Sequence, residues 1–133
     1  LRSDACSIGA ADASFDAATM AFGIRNVPDV PGALREIRRV LRRGGRALIM
    51  EFSLPRNPLF RAFYLFYFRH VLPRIGGIVS GDRAAYRYLN ESVERFPHGL
   101  EFCRLMEDAG FTRVEARPLT FGIATLYIGE KAT

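Results

Sequence analysis

"FDAATMAFGIRNVPDVPGALREIRRVLRRGGRALIMEF", residues 15–52, changes its apolar period twice, and those changes decide the fold. Phe15 to Phe22 is a short run of mostly small and apolar residues, with Asp12 to Ser14 before it and Gly23 after it. A run without a regular polar face reads as a strand buried on both sides. Asp29 is then placed to cap a helix, with Pro31 in its first turn. Leu34, Ile37, Val40 and Leu41 fall on one face of that helix, while Arg35, Arg38, Arg39 and Arg42 lie off it. Gly44 and Gly45 are predicted to stop the helix, and Ala47 to Phe52 to form a second buried strand. Strand, helix and strand in this order make a right-handed parallel crossover, so the chain is of the α/β class.

Outward from this unit the pattern changes. Between Pro55 and Arg95 the alternation of strand and helix breaks off, and Phe60, Phe63, Tyr64, Tyr67, Phe68 and Val71 recur at helical spacing with Arg61 and Arg69 off their face. Phe102, Leu105, Met106 and Ala109 predict a last helix, stopped by Gly110. Val114 and Ala116, then Ile123, Thr125 and Tyr127, alternate with a period of two. They predict an antiparallel strand pair that closes the sheet.

The 133 residues are enough for one domain with a substantial core. Nineteen Lys and Arg against 14 Asp and Glu leave a formal charge of +5, which favours anionic partners such as phosphates and acidic headgroups. Nucleic acid is not the expected partner, because the arginines are spread through the helices and no recognition motif is present. Cys6 and Cys103 have no metal-ligand or redox spacing and read as reduced packing residues in a cytosolic setting. No apolar run is long enough to span a bilayer, and no signal peptide is recognised. The chain starts in mid-pattern and without Met, so an N-terminal part is expected to be absent from it.

"RVLRRGGRALIMEFS" (39–53), with "FDAATMAFGIRNVPD" (15–29), "HVLPRIGG" (70–77) and "YRYL" (86–89), resembles the ubiquinone/menaquinone-biosynthesis C-methyltransferases, a class I S-adenosylmethionine-dependent family. The resemblance runs from about Asp4 to Lys131. It implies a Rossmann-like sheet of which this chain supplies the C-terminal portion, strands four to seven, with an inserted helical segment. Residues 1–54 would be the adenine-side segment with strand, helix and strand, 55–97 the helical substrate cover, and 98–133 the last helix and strand pair. The glycine-rich turn and the acidic residue that hold the cofactor in such folds have no match here, since no second glycine accompanies Gly9. Strand four would therefore be an open edge, to be covered by a second copy or by an N-terminal half, and methyl transfer by this stretch alone is not expected.

The resemblance also assigns residues. Ligands in open parallel sheets bind beyond the C-terminal strand ends, where the strand order reverses, and Arg25 and Asn26 follow strand four. The implied reaction is C-methylation of a reduced polyprenyl quinone ring with S-adenosyl-L-methionine as cofactor. A ring carbon becomes a good nucleophile when a ring hydroxyl loses its proton, and a neighbouring cation favours the phenolate. Arg25 would supply that charge and Asn26 a hydrogen-bonding amide; arginine itself is a poor base. The other reading of the pair is loop capping through backbone carbonyls.

Asp4 and Ala5 match the family's pair along the adenine, and Ala21 matches a position lining the cofactor, whereas Gly9, Ala10 and Ala11 stand where a proline and a bulky aromatic are expected. Asp4 has a second reading as a solvated residue near a terminus. The aromatic stretch "LFRAFYLFYFRHVLP" (59–73) has two readings, a peripheral membrane contact that guides the lipid quinol or packing on the sheet. His70 and His98 read as proton acceptors or as helix-end caps. The alternative function is a non-catalytic methyltransferase-like module that binds a partner or a membrane surface.

Overall fold

The computed structural model describes residues 4–133. Phe15–Ala21 form β1, Leu41–Phe52 β2, Phe111–Leu119 β3 and Ala124–Lys131 β4. β1 and β2 are parallel, while β2–β4 and β3–β4 are antiparallel, and the sheet order is β1-β2-β4-β3. The last two strands are an antiparallel pair, as the alternation after Gly110 predicts, and the second of them lies beside β2. Helix α1, Val30–Val40, is the crossover between the two parallel strands, and its cap is as predicted, with Asp29 accepting from the Gly32 amide at 2.9 Å. Ala33, Leu34, Ile37 and Val40 form its buried face.

The core lies between this helix, α5 (Leu100–Asp108) and one face of the sheet, with Leu34, Ile49, Phe102, Met106 and Tyr127 at its centre. Phe102 and Tyr127 pack with ring centroids 4.5 Å apart, and burying each large apolar side chain contributes about 1.5–3 kcal/mol. Between β2 and α5 lies the helical segment. It comprises α2 (Pro58–Phe66), a widened π-turn (Tyr67–Val71), α3 (Leu72–Ser80) and α4 (Arg83–Arg95). Asn57 caps α2 and Asp82 caps α4, each accepting from a backbone amide. This segment has its own small cluster around Leu54, Phe68 and Val93.

Two local expectations are corrected. Gly44 and Gly45 do not stop α1, which ends at Val40 and passes directly into β2. They form a bulge inside β2, where the pairing with β1 jumps from Phe15–Leu41 to Ala17–Arg46. Gly44 has φ +75, and a Cβ on Gly45 would sit 2.9 Å from the Arg42 carbonyl oxygen, so this crowded turn suits glycine. β1 is also not buried on both faces. It is an edge strand paired only to β2 among the described residues, and Phe15, Asp16, Ala17, Thr19 and Ala21 are exposed.

Candidate active site

The chain leaves β1 by a left-handed residue, Phe22 at φ +53, and enters a short turn over Ile24–Asn26. Ile24 is fully buried and anchors the turn in the core. Arg25 and Asn26 therefore stand at the C-terminal end of β1, where ligands of open parallel sheets bind.

Arg25 is held from four sides. Its Nη1 donates to the Phe22 carbonyl at 2.8 Å and to Glu51 Oε1 at 2.7 Å, its Nε to Ser92 Oγ at 3.3 Å, and its guanidinium carbon lies 5.3 Å from the centroid of the Phe52 ring. The side chain is 9% exposed and that of Glu51 is fully buried. A charge so deeply placed is tolerated only with a well-made partner set, and Glu51 has one: besides Nη1 it accepts from the amides of Arg25 at 3.3 Å and Phe52 at 2.9 Å. Arg25 Nη2 has no hydrogen-bond partner among the described residues. The guanidinium is thus fixed on one side and has two N–H donors left on the other.

Asn26 is exposed, and its Oδ1 accepts from the Tyr88 hydroxyl at 3.0 Å. Tyr88 and Ser92 are one turn apart on α4, so this helix reaches both residues of the pair and covers the strand end from the insert side. The predicted capping reading is partly met, through the Phe22 carbonyl, but it occupies only one nitrogen of Arg25.

Three members of this arrangement escaped the sequence reading. Glu51 carried a signal, a lone carboxylate in the apolar run "ALIMEF", since a charge there must find a partner. Ser92 and Tyr88 carried none, because their roles depend on where α4 docks.

The residues assigned to the cofactor lie at the same end of the sheet. Ala21 is the last, exposed residue of β1. Asp4 forms a tight turn in which its Oδ1 accepts from the Cys6 amide at 2.8 Å and its carbonyl from the Ser7 amide at 3.0 Å. The Cys6 thiol donates to the Asp29 carbonyl at 3.4 Å, which docks the turn beside the start of α1. Burial first, and then the charges of Asp4 and Asp29, push that thiol's pKa up. Ala5 packs against the main core. Asp4 is exposed and its Oδ2 has no partner among the described residues, so the turn offers a free acceptor of the kind an adenine amino group needs. This acceptor suits the amino edge of an adenine, whereas Gly9, Ala10 and Ala11 present no bulky side chain to pack under the base.

The loop leading from this turn is strapped to α1. Glu36 accepts from the Ile8 amide at 2.9 Å and from Arg39 Nε at 2.7 Å, while Arg39 also donates to the carbonyls of Ile8 and Ala10. The Arg39 hydrogen bonds are the main reason that the Glu36 carboxyl is lowered to about 2. His70 and His98 take no part in the Arg25 cluster. His70 lies against Phe66 with ring centroids 5.2 Å apart, and His98 Nδ1 is 3.4 Å from the Phe96 carbonyl oxygen.

The profile of the ubiE/COQ5 methyltransferase family matches residues 1–131. The chain is 54% identical over 129 residues to the ubiquinone/menaquinone biosynthesis C-methyltransferase UbiE of Syntrophotalea carbinolica, covering 97% of this chain and 54% of that protein. It is 49% identical over 128 residues to the demethylmenaquinone methyltransferase of Deinococcus radiodurans, covering 96% and 53%. The chain spans about half the length of the curated relatives it matches. Among solved structures, a SAM-dependent methyltransferase of Thermotoga maritima superposes with a TM-score of 0.65 at 21% identity, over 98% of this chain and 63% of that one. The [4+2]-cyclase SpnF superposes with a TM-score of 0.64 at 17% identity, over 98% and 56%. At such identities the likeness speaks for the fold, which is that of class I methyltransferases, and a cyclase on the same fold shows that fold alone does not fix the reaction.

Proposed function

Because the chain belongs to the ubiE/COQ5 methyltransferase family, we propose that it is the substrate-side half of an S-adenosyl-L-methionine-dependent C-methyltransferase acting on a lipid quinol of menaquinone or ubiquinone biosynthesis. The observation that carries the role of Arg25 is its half-satisfied guanidinium: Nε and Nη1 are held by Ser92, Phe22 and Glu51, and Nη2 is left to donate. Donors fixed beforehand by the protein stabilise developing charge without reorganisation. Arg25 Nη2 and the free amide of Asn26 would hold the ring oxygen as it becomes a phenolate, lowering its pKa from about 10.

The proton from the hydroxyl passes to water, since arginine holds its own too firmly. S-adenosyl-L-methionine, when bound, would supply an electrophilic sulfonium methyl group and carry away the bond's electrons as a thioether. With the ring oxygen held by Arg25 and Asn26, a ring carbon would be the nucleophile towards that methyl group, and the proton it gives up would pass to water. Asp4, Ala5 and Ala21 would hold the adenine side, with Asp4 Oδ2 as acceptor. Glu51 acts through Arg25 by orienting it and is a positioning residue.

The open edge of β1 is where a further strand would pair, from a second copy or from a preceding half, and we place it there because an unpaired apolar edge is a liability. The exposed aromatic face of α2 favours a second reading, that of a binding module for a membrane surface. One assay separates the two. The complete enzyme that includes this half, with the methyl donor and a short-chain reduced demethylmenaquinone, is expected to yield a product one methyl heavier by mass spectrometry. Binding to vesicles without any methylated product would favour the module instead.

A further inference from the structure

The helical segment contains a cavity of about 470 Å³ between the π-turn with α3 on one wall and α4 on the other. It has no part in the Arg25 cluster, and its charge is uneven. Arg69 donates to Glu94 at 2.9 Å and Arg95 lies 3.9 Å from Glu91, which uses both acidic groups of the wall. Arg74, Arg83 and Arg87 line the same cavity with no ion-pair partner among the described residues.

Close packing of the two helices gathers these three cations. A Cβ on Gly76 would lie 2.4 Å from the Tyr86 ring, and one on Gly77 2.3 Å from Arg83 Cγ. The glycine pair lets α4 lie directly on α3, so the stem of Arg83 rests on the α3 backbone and its head reaches the cavity that Arg74 lines from the other side. Arg87 follows Arg83 by one turn of α4, on the same face. At the base is Asn90, 6% exposed, whose Nδ2 donates to the Phe68 carbonyl while its Oδ1 has no partner. An amide oxygen only accepts, so Asn90 Oδ1 does not hold an anion, and the donors of the cavity are the three arginines.

We propose that this cavity is an anion site for a phosphate group, held by Arg74, Arg83 and Arg87. Unpaired arginines that share a cleft repel one another and focus a positive field, and a phosphate relieves both through bidentate charge-assisted hydrogen bonds. The proposal does not depend on methyl transfer. A free phosphate and a phospholipid headgroup offer the same chemistry; the exposed Phe63 and Phe66 of α2 and Tyr67 of the π-turn favour the lipid source.

The test compares the purified protein with Arg83→Gln/Arg87→Gln and with Arg43→Gln/Arg104→Gln. The second double variant removes the same charge from exposed arginines outside the cavity. At constant ionic strength, inorganic phosphate is expected to raise the melting temperature of the wild type and of the second variant. The first variant should bind phosphate at least about tenfold more weakly, as loss of charged hydrogen bonds implies. Flotation with phosphatidylglycerol vesicles against phosphatidylcholine vesicles identifies the source. Lipid binding lost in the first variant alone assigns the headgroup, and phosphate binding lost with flotation unchanged assigns free phosphate. Equal loss in both variants, or no phosphate effect in the wild type, overturns the site.

Discussion

Phe102 and Phe63 each belong to the apolar stripe of a short helix, yet Phe102 is fully buried and Phe63 is 66% exposed. The stripe of α5 closes on α1 and on the sheet, where the rings of Phe96, Phe102 and Tyr127 pack at tilted angles. The stripe of α2 has no such layer over it: Leu59, Phe63 and Phe66 are all exposed, and no residue of α2 is fully buried. Periodicity marks a face that needs covering, but it does not say what covers it. In the sheet half the cover is the chain's own core. In the insert, the outer face of the aromatic helix is free for something outside the described residues.

That contrast can be broken most strongly in the core. Phe102→Ala should destabilise by about 3–5 kcal/mol, as large-to-small changes in packed cores do, measured by urea denaturation. A loss under about 1 kcal/mol would mean that the core relaxes far more than its packing allows.

A second test uses the strap between α1 and the Asp4 loop. The folded Glu36 carboxyl titrates near 2 against an ordinary value of 4.5, chiefly because of its hydrogen bonds from Arg39. A depressed pKa gives stability that is present above the unfolded value and is lost as pH falls towards the folded one. The wild type should therefore lose stability between about pH 4.5 and 2, and Glu36→Gln should flatten that part of the curve. Parallel curves for the two proteins would remove the strap as the cause.

The smallest expected effect is the most telling for the insert. Phe63→Ser should change stability in solution by no more than about 0.5 kcal/mol, as exposed substitutions do. A loss near that of Phe102→Ala would show that α2 is covered after all.

Local signals were read well from the sequence. The Asp29 cap, the buried face of α1 and the alternation of β3 and β4 all depend on neighbours within a few residues. Gly44 and Gly45 were misread because a glycine pair after an apolar stripe serves a helix stop and a strand bulge equally well. The open edge of β1 was expected from the resemblance, but its burial on both faces was misread, because composition reports how apolar a strand is and not which layers cover it. At the site, the positions of Arg25 and Asn26 followed from the strand end. The side chains that fix Arg25 did not, since Glu51 and Ser92 lie 26 and 67 residues away in the chain. Only the docking of β2 and α4 brings them together.

The division of Arg25 into a held side and an open side is tested most directly by pairing it with Glu51. In the complete enzyme that includes this half, Arg25→Met alone strands a buried carboxylate, so it should lose about 3–5 kcal/mol of stability together with methyl transfer. Arg25→Met/Glu51→Leu removes both charges and should recover most of that stability, since apolar replacement of a buried pair is often neutral. If Arg25 also holds the ring oxygen, the double variant is expected to be stable and to transfer no methyl group. A stable double variant that methylates the quinol at the wild-type rate would contradict this, and would make Arg25 a loop cap and nothing more.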